Sequence, residues 1–260
     1  MTVRLPRIPH SNETILVMPA SLLEPEARLE DDSFQEHQTL IALDNPCESE
    51  SLADLLHRLG DVPLERILAR PAIGTATPAD VLRLCDHEPK RLCELVDGVL
   101  VEKAMGHRES RLAAEIIRVI GNHVQSNHLG ILAGSDGPHH LNEGQIRFPD
   151  VSFIAWENIP QGADLNTPMP GWIPSLAVEV ISPGNTRGEM SRKLHDYFQA
   201  GVALVWYVYP AENVVRAYTS ETECQTLTDA DQLDGGRVLP GFLYSVKQLF
   251  EVGAPQRPGA

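Results

Sequence analysis

The stretch that most constrains this chain is 176–181, Leu-Ala-Val-Glu-Val-Ile, an apolar and β-branched run with one carboxylate, Glu179, inside it. A run of this length and composition predicts a strand buried on both faces. A carboxylate taken out of water is costly unless a cation or several hydrogen-bond donors meet it. Glu179 is therefore a candidate ligand or catalytic group. A turn at Ser182-Pro-Gly-Asn185 and a helix over 189–200 follow, and that helix is the expected carrier of a cationic neighbour.

Three other residues could point at Glu179. Asp150 follows Pro149 and opens the apolar run 151–155. A loop over 158–173, rich in Pro and Gly, could return the chain antiparallel and bring Asp150 beside Glu179. Alternation places Asp150 with Ser152 and Ile154, and Glu179 with Ala177 and Ile181. Whether these are one face depends on register and stays open at this level. On the 189–200 helix, Met190, Leu194, Tyr197 and Phe198 form an apolar stripe that Lys193 borders, whereas Arg192 and His195 fall outside it. Lys193 is thus the base placed to lean over the sheet. Glu109 falls in the stripe set by Leu112, Ile116 and Ile120 on a helix expected over 109–124, so it faces inward, and Glu115 falls outside. Two carboxylates can hold a hard cation such as Mg²⁺, which acidifies a bound water and stabilises phosphoryl oxygens. A lysine there offsets developing negative charge.

Along the chain, 1–50 is acidic and Pro-rich and reads as a loosely packed arm. A short helix capped by Ser51 and a linker occupy 51–76. Thr77 followed by Pro78 opens a helix over 78–87. A hairpin over 92–102 turns at Asp97-Gly98. Strands are expected at 130–134, at 145–156 with an interruption at Pro149-Asp150, at 202–209 and at 214–218, with a polar hairpin region at 139–143. A closing helix spans 245–252, and 253–260 is a loose tail. Hairpins and one strand–helix–strand unit predict an α/β domain over 77–252 with a mixed central sheet.

The net charge of −15 weighs against easy binding of nucleic acid, because phosphate contacts need Lys and Arg. Residues 1–70 hold 13 of the 36 acidic side chains and 6 of the 21 basic ones, so the acidity is densest before the main domain. No apolar run approaches the ~20 residues of a membrane span, and no signal core follows the N-terminus, so a cytoplasmic protein is expected. Cys47, Cys85, Cys93 and Cys224 show no metal-binding spacing and read as reduced thiols. His107, His139 and His140 read as ordinary polar residues, and Trp206 and Tyr207 as core.

The ordered set Pro149-Asp150, then 177–183 with Glu179, then Lys193 with Tyr197, Gly201-Val202 and Trp206, resembles the Uma-type restriction endonuclease family of the PD-(D/E)XK nuclease superfamily. The hairpin Glu94-Leu-Val-Asp-Gly98 and the helix start over 107–112 add to the likeness, which covers 77–250. The resemblance implies a restriction-endonuclease-like fold preceded by an N-terminal extension, and DNA cleavage dependent on Mg²⁺, with Mn²⁺ as an alternative ion. It implies Asp150 and Glu179 as metal ligands, Lys193 as the catalytic lysine and Glu109 as a helix-borne acid and further ligand. Ile181 stands where the superfamily usually has lysine, so the lysine would have moved to the helix. By analogy with cutters of duplex DNA, a homodimer is expected. A non-catalytic module keeping the fold is the alternative. A glycosidase would not need Lys193 and would want more aromatics than the 5% present.

Overall fold

The computed structural model describes residues 50–104 and 106–253. The acidic arm, apart from Glu50, and the tail after Gly253 lie outside the described residues. Ser51 caps α1 (Leu52–Arg58) in a capping box with Asp54. A short 3₁₀ turn (Leu64–Arg66) leads to α2 (Pro78–Cys85), whose Asp80 accepts from the backbone N–H and hydroxyl of Thr77. The hairpin β1 (Cys93–Val96) and β2 (Val99–Glu102) turns on Asp97 and Gly98, both at positive φ, as a two-residue turn demands. Then come α3 (His107–Asn127), β3 (Gly130–Gly134), β4 (His139–Asn142), β5 (Gln145–Arg147) and β6 (Val151–Ala155). The second half holds β7 (Leu176–Val180), α4 (Arg187–Ala200), β8 (Leu204–Tyr209), β9 (Val214–Tyr218), β10 (Cys224–Leu227), β11 (Gln232–Asp234), β12 (Leu243–Ser245) and α5 (Val246–Gly253).

The strands form a mixed six-stranded sheet in the order β10-β9-β8-β7-β6-β3, a four-stranded sheet in the order β2-β1-β5-β4, and a separate antiparallel pair β11-β12. Only β7 and β8 run parallel in the large sheet, joined by α4 as a strand–helix–strand crossover. The expected interrupted strand over 145–156 is instead two strands in two sheets. Pro149 denies the ladder a donor, and the chain changes sheets at Phe148-Pro149-Asp150. The 139–143 region is less polar than expected: His139 and Leu141 are buried, while His140 is only half-buried. Strands β10 to β12 carry no apolar run and were not anticipated from the sequence.

One face of the large sheet packs on α3 and α5 through Leu112, Ile116, Phe153, Val178, Trp206 and Phe250. Trp206 and Tyr207 are both core residues, as the sequence predicts. Glu115, expected outside the inward stripe, is buried; it accepts from Arg118 and from the Tyr244 hydroxyl. Helix α1 and Val62 pack on the β1–β2 hairpin through Leu55, Leu59, Val96, Val99 and Val101. Cys85, Cys93 and Cys224 carry free thiols, and Cys47 lies outside the described residues. Among the described residues no helix is long and apolar enough to cross a membrane.

Candidate active site

The opposite face of the large sheet, covered by α4 and the smaller sheet, carries charge. Strands β6 and β7 are antiparallel with Val151 opposite Val178. Continuing that register by one residue sets Asp150 opposite Glu179, and directly opposed residues share a face. The Val180 N–H donates to Asp150 Oδ2 at 2.7 Å, fixing the carboxylate to the neighbouring strand.

Lys193 reaches this face from α4. The register of the apolar stripe sets its direction: Met190, Leu194 and Tyr197 are buried against the sheet, and Lys193 is buried among them. Its Nζ lies 3.2 Å from Glu179 Oε1 and 2.9 Å from Glu94 Oε1. The Tyr197 hydroxyl, one helical turn on, donates to the same Glu179 Oε1 at 2.6 Å. Arg192 points elsewhere, to Asp97 and Asp196.

Glu94 was not singled out as a site residue in the sequence, and β1 delivers it here. It is 1% exposed, accepts from Arg147 Nη1 at 2.7 Å, and is flanked by Lys193. Arg147, from β5, also donates to Asp196 of α4, so one guanidinium ties the small sheet to the helix. Lys103, just past β2, donates to the Phe148 carbonyl at 2.6 Å and lies 2.8 Å from Asp150 Oδ1. A signal for Glu94 did exist: it is a lone carboxylate in the apolar run 92–96, the same signature as Glu179. Lys103 closes the run 99–103 and carries no such mark.

Glu109 is not gathered in. It sits in the first turn of α3, where its carboxylate folds back over Gly106; a Cβ on Gly106 would stand 1.9 Å from Glu109 Oε2. Among the described residues it has no hydrogen bond or ion pair with Asp150, Glu179 or Lys193. The helical phase is as expected, with Leu112, Ile116 and Ile120 buried in the core. Of the histidines, His139 is buried, its Nε2 2.8 Å from Ser152 Oγ, and burial pushes its pKa down to about 4, so it stays neutral.

The electrostatics of the cluster follow from burial opposed by ion pairing. Burial alone would raise Glu94, yet Lys193 and Arg147 overrule it and hold its carboxyl down at about 2. Glu179 goes the other way: burial pushes its pKa up, and Lys193 does not fully offset this, with Asp150 adding to the rise. Burial would lower Lys193, but Glu179 and Glu94 raise it well above the usual lysine range, so it remains an ammonium. Glu94, Asp150, Glu179 and Asp196 thus face three buried or nearly buried cations, Lys103, Arg147 and Lys193, with Arg192 shared between Asp196 and Asp97. Among the described residues, no three His, Cys, Asp or Glu side chains are gathered closely enough to hold a metal ion as they stand. Lys193 lies between Glu94 and Glu179, and Lys103 covers one oxygen of Asp150. The donor set, the carboxylate oxygens of Asp150 and Glu179 on one face, is of the chemical kind a hard divalent cation takes, with Lys103 and Lys193 as its present counter-charges.

No curated protein matches the chain. A crystal structure described as a putative nuclease belonging to DUF820, from Anabaena variabilis ATCC 29413, is similar in fold. It is 19% identical, with a TM-score of 0.58, and the match covers 67% of this chain and 97% of that one. The sequence model of the Uma2 family, described as putative restriction endonucleases, matches residues 78–247. That span holds both sheets, α4 and every member of the charged cluster, and the chain belongs to the Uma2 family.

Proposed function

We propose that the chain is a metal-dependent endonuclease of the PD-(D/E)XK type that hydrolyses phosphodiester bonds in DNA. The observation that carries this reading is the convergence of Asp150, Glu179 and Lys193 from two adjacent strands and the crossover helix. Asp150 and Glu179 would hold the cation, Mg²⁺ or Mn²⁺, with Glu94, beside Lys193, as the third acid in preference to Glu109. When bound, the cation supplies Lewis-acid stabilisation of the phosphate and acidifies a water. Lys193 stays protonated, so its role is not that of a base: it donates to, and offsets negative charge on, oxygens that enter beside Glu179. Tyr197, its phenol pushed up by burial and by Glu179, keeps its proton and holds the Glu179 carboxylate in place. Arg147 positions Glu94 and, through Asp196, the helix that bears Lys193. The working unit is proposed to be a cytoplasmic homodimer, one copy for each strand of a duplex, and a monomeric elution profile would contradict the dimer.

A specific observation favours a second reading, a binding or assembly module that keeps the fold without catalysis. Lys103 and Lys193 already neutralise the carboxylates internally, and the chain carries a net charge of −15. Incubation with supercoiled plasmid and Mg²⁺ or Mn²⁺ separates the two. The nuclease reading expects nicking by the parent and a loss of at least a hundredfold in Glu179→Ala and Lys193→Ala. Folded parent that leaves the plasmid intact under both ions supports the module.

A further inference from the structure

On the face that carries Glu179, two strands further along the sheet, lies a cleft of about 460 Å³. Glu179 is in register with Tyr207 on β8, and Tyr207 with Arg216 on β9, so the three form one row across the sheet. At a strand spacing of about 4.8 Å, the Arg216 backbone stands roughly 10 Å from that of Glu179. The Tyr207 hydroxyl donates to the Met190 carbonyl of α4, so Tyr207 forms the floor between the charged cluster and the cleft. The cleft begins at Ile181 and Asn185, where the chain leaves β7 just after Glu179.

Its walls combine cations with aromatic surface. The Arg216 guanidinium lies 4.5 Å over the ring of Tyr209. Tyr218 stands edge-on to Tyr207, with centroids 5.3 Å apart. Both Tyr209 and Tyr218 are half-buried and so present ring surface to the cleft. Arg187, exposed at the start of α4, makes no ion pair among the described residues. Glu212 is 3.7 Å from Arg216, but that pair is largely solvent-exposed and weakly coupled. Guanidinium groups and aromatic faces side by side are the chemistry that receives a nucleotide, the first taking the phosphate and the second stacking on the base. In a chain with this much negative charge, an anionic polymer needs such a local site.

We infer that this cleft receives an unpaired nucleotide of the substrate strand, with its phosphate on Arg187 and Arg216 and its base against Tyr209 and Tyr218. The inference rests on the nuclease reading, and its test is separable from it. Binding of a fluorescein-labelled single-stranded hexadeoxynucleotide is followed by anisotropy in EDTA, so that no cleavage is required. Arg187→Gln and Arg216→Gln are each expected to weaken binding about tenfold and to reduce the salt slope by about 0.7. Tyr218→Leu is expected to weaken binding about tenfold without changing the slope. Thermal melting establishes that each variant is folded, and the parent is assayed for plasmid nicking in parallel. Unchanged binding in folded variants overturns the cleft assignment, and intact nicking in the parent would then leave the nuclease reading standing. Cleft-dependent binding without nicking supports the cleft and removes the nuclease reading alone. Failure of the parent to bind the oligonucleotide overturns the cleft. Thymidine 5′-monophosphate competing as strongly as the hexanucleotide would overturn the strand assignment in favour of a soluble nucleotide.

Discussion

The two faces of the large sheet are built from the same strands and answer to opposite rules. Toward α3 and α5, Val151, Phe153, Val178, Val180, Trp206 and Val208 pack in one apolar cluster. Toward α4, Asp150 meets Lys103, Glu179 meets Lys193, and Lys193 leads through Glu94 to Arg147, while Tyr207 donates to the Met190 carbonyl. The first face needs no explanation beyond burial. The second keeps charges that well-packed apolar side chains could replace without loss of stability. Such pairs are weak evidence for stability, and the proposed metal site gives them a use.

The largest effects should break this comparison directly. Phe153→Ala and Arg147→Ala are each expected to destabilise the fold by about 3–5 kcal/mol in urea unfolding. The reasons differ. Loss of Phe153 leaves a cavity. Loss of Arg147 leaves Glu94 and Asp196 short of a buried partner. Adding Glu94→Gln and Asp196→Asn should therefore recover much of the Arg147→Ala loss, and should do nothing for Phe153→Ala. Equal recovery in both backgrounds would contradict the distinction.

Acid and base limbs of the stability curve sharpen the charged face further. Glu94 is held below its ordinary pKa of 4.5, at about 2, so its contribution is complete above pH 4.5 and is lost as pH falls through about 2. Glu179 is raised above 4.5, so its ionised carboxylate weakens the fold at pH values above its shifted pKa, and that penalty disappears as pH falls below 4.5. Glu179→Gln removes that penalty together with a partner of Lys193, so it should change the melting temperature at pH 7 less than Glu94→Gln does. Glu94→Gln should lower the melting temperature at pH 7 and flatten the acid limb. Parallel melting curves for the two variants would contradict the assignment of opposite shifts.

The smallest effect is expected at Glu109. Its carboxylate lies over Gly106 and makes no hydrogen bond or ion pair with Asp150, Glu179 or Lys193 among the described residues, so Glu109→Gln should change stability by less than about 0.5 kcal/mol and leave nicking unchanged, whereas Glu94→Gln should abolish nicking. The reverse pattern would restore Glu109 to the site.

Much of this arrangement was legible in the sequence where the signal is local. The run around Glu179 is apolar enough to announce a buried strand, and helical phase alone turns Lys193 toward the sheet in preference to Arg192. Asp150 was recognisable as an anomalous acid, but its meeting with Glu179 depends on the register of β6 against β7. Glu94 and Arg147 belong to a second sheet that packs over the site, and no periodicity reports which sheet will cover which. Glu109 shares the phase of Leu112 and Ile116 yet makes no bond to the cluster among the described residues, and a wheel of side-chain directions does not report such contacts.

The account turns on whether the acid-rich face binds a divalent cation. Calorimetric titration of Mn²⁺ into the full chain, beside Glu179→Gln and Asp150→Asn, measures this without requiring turnover. The expected result is one saturable site per chain in the parent and none in either variant. A folded parent that binds no Mn²⁺, or variants that bind it as the parent does, would contradict the assignment of Asp150 and Glu179 as the metal ligands.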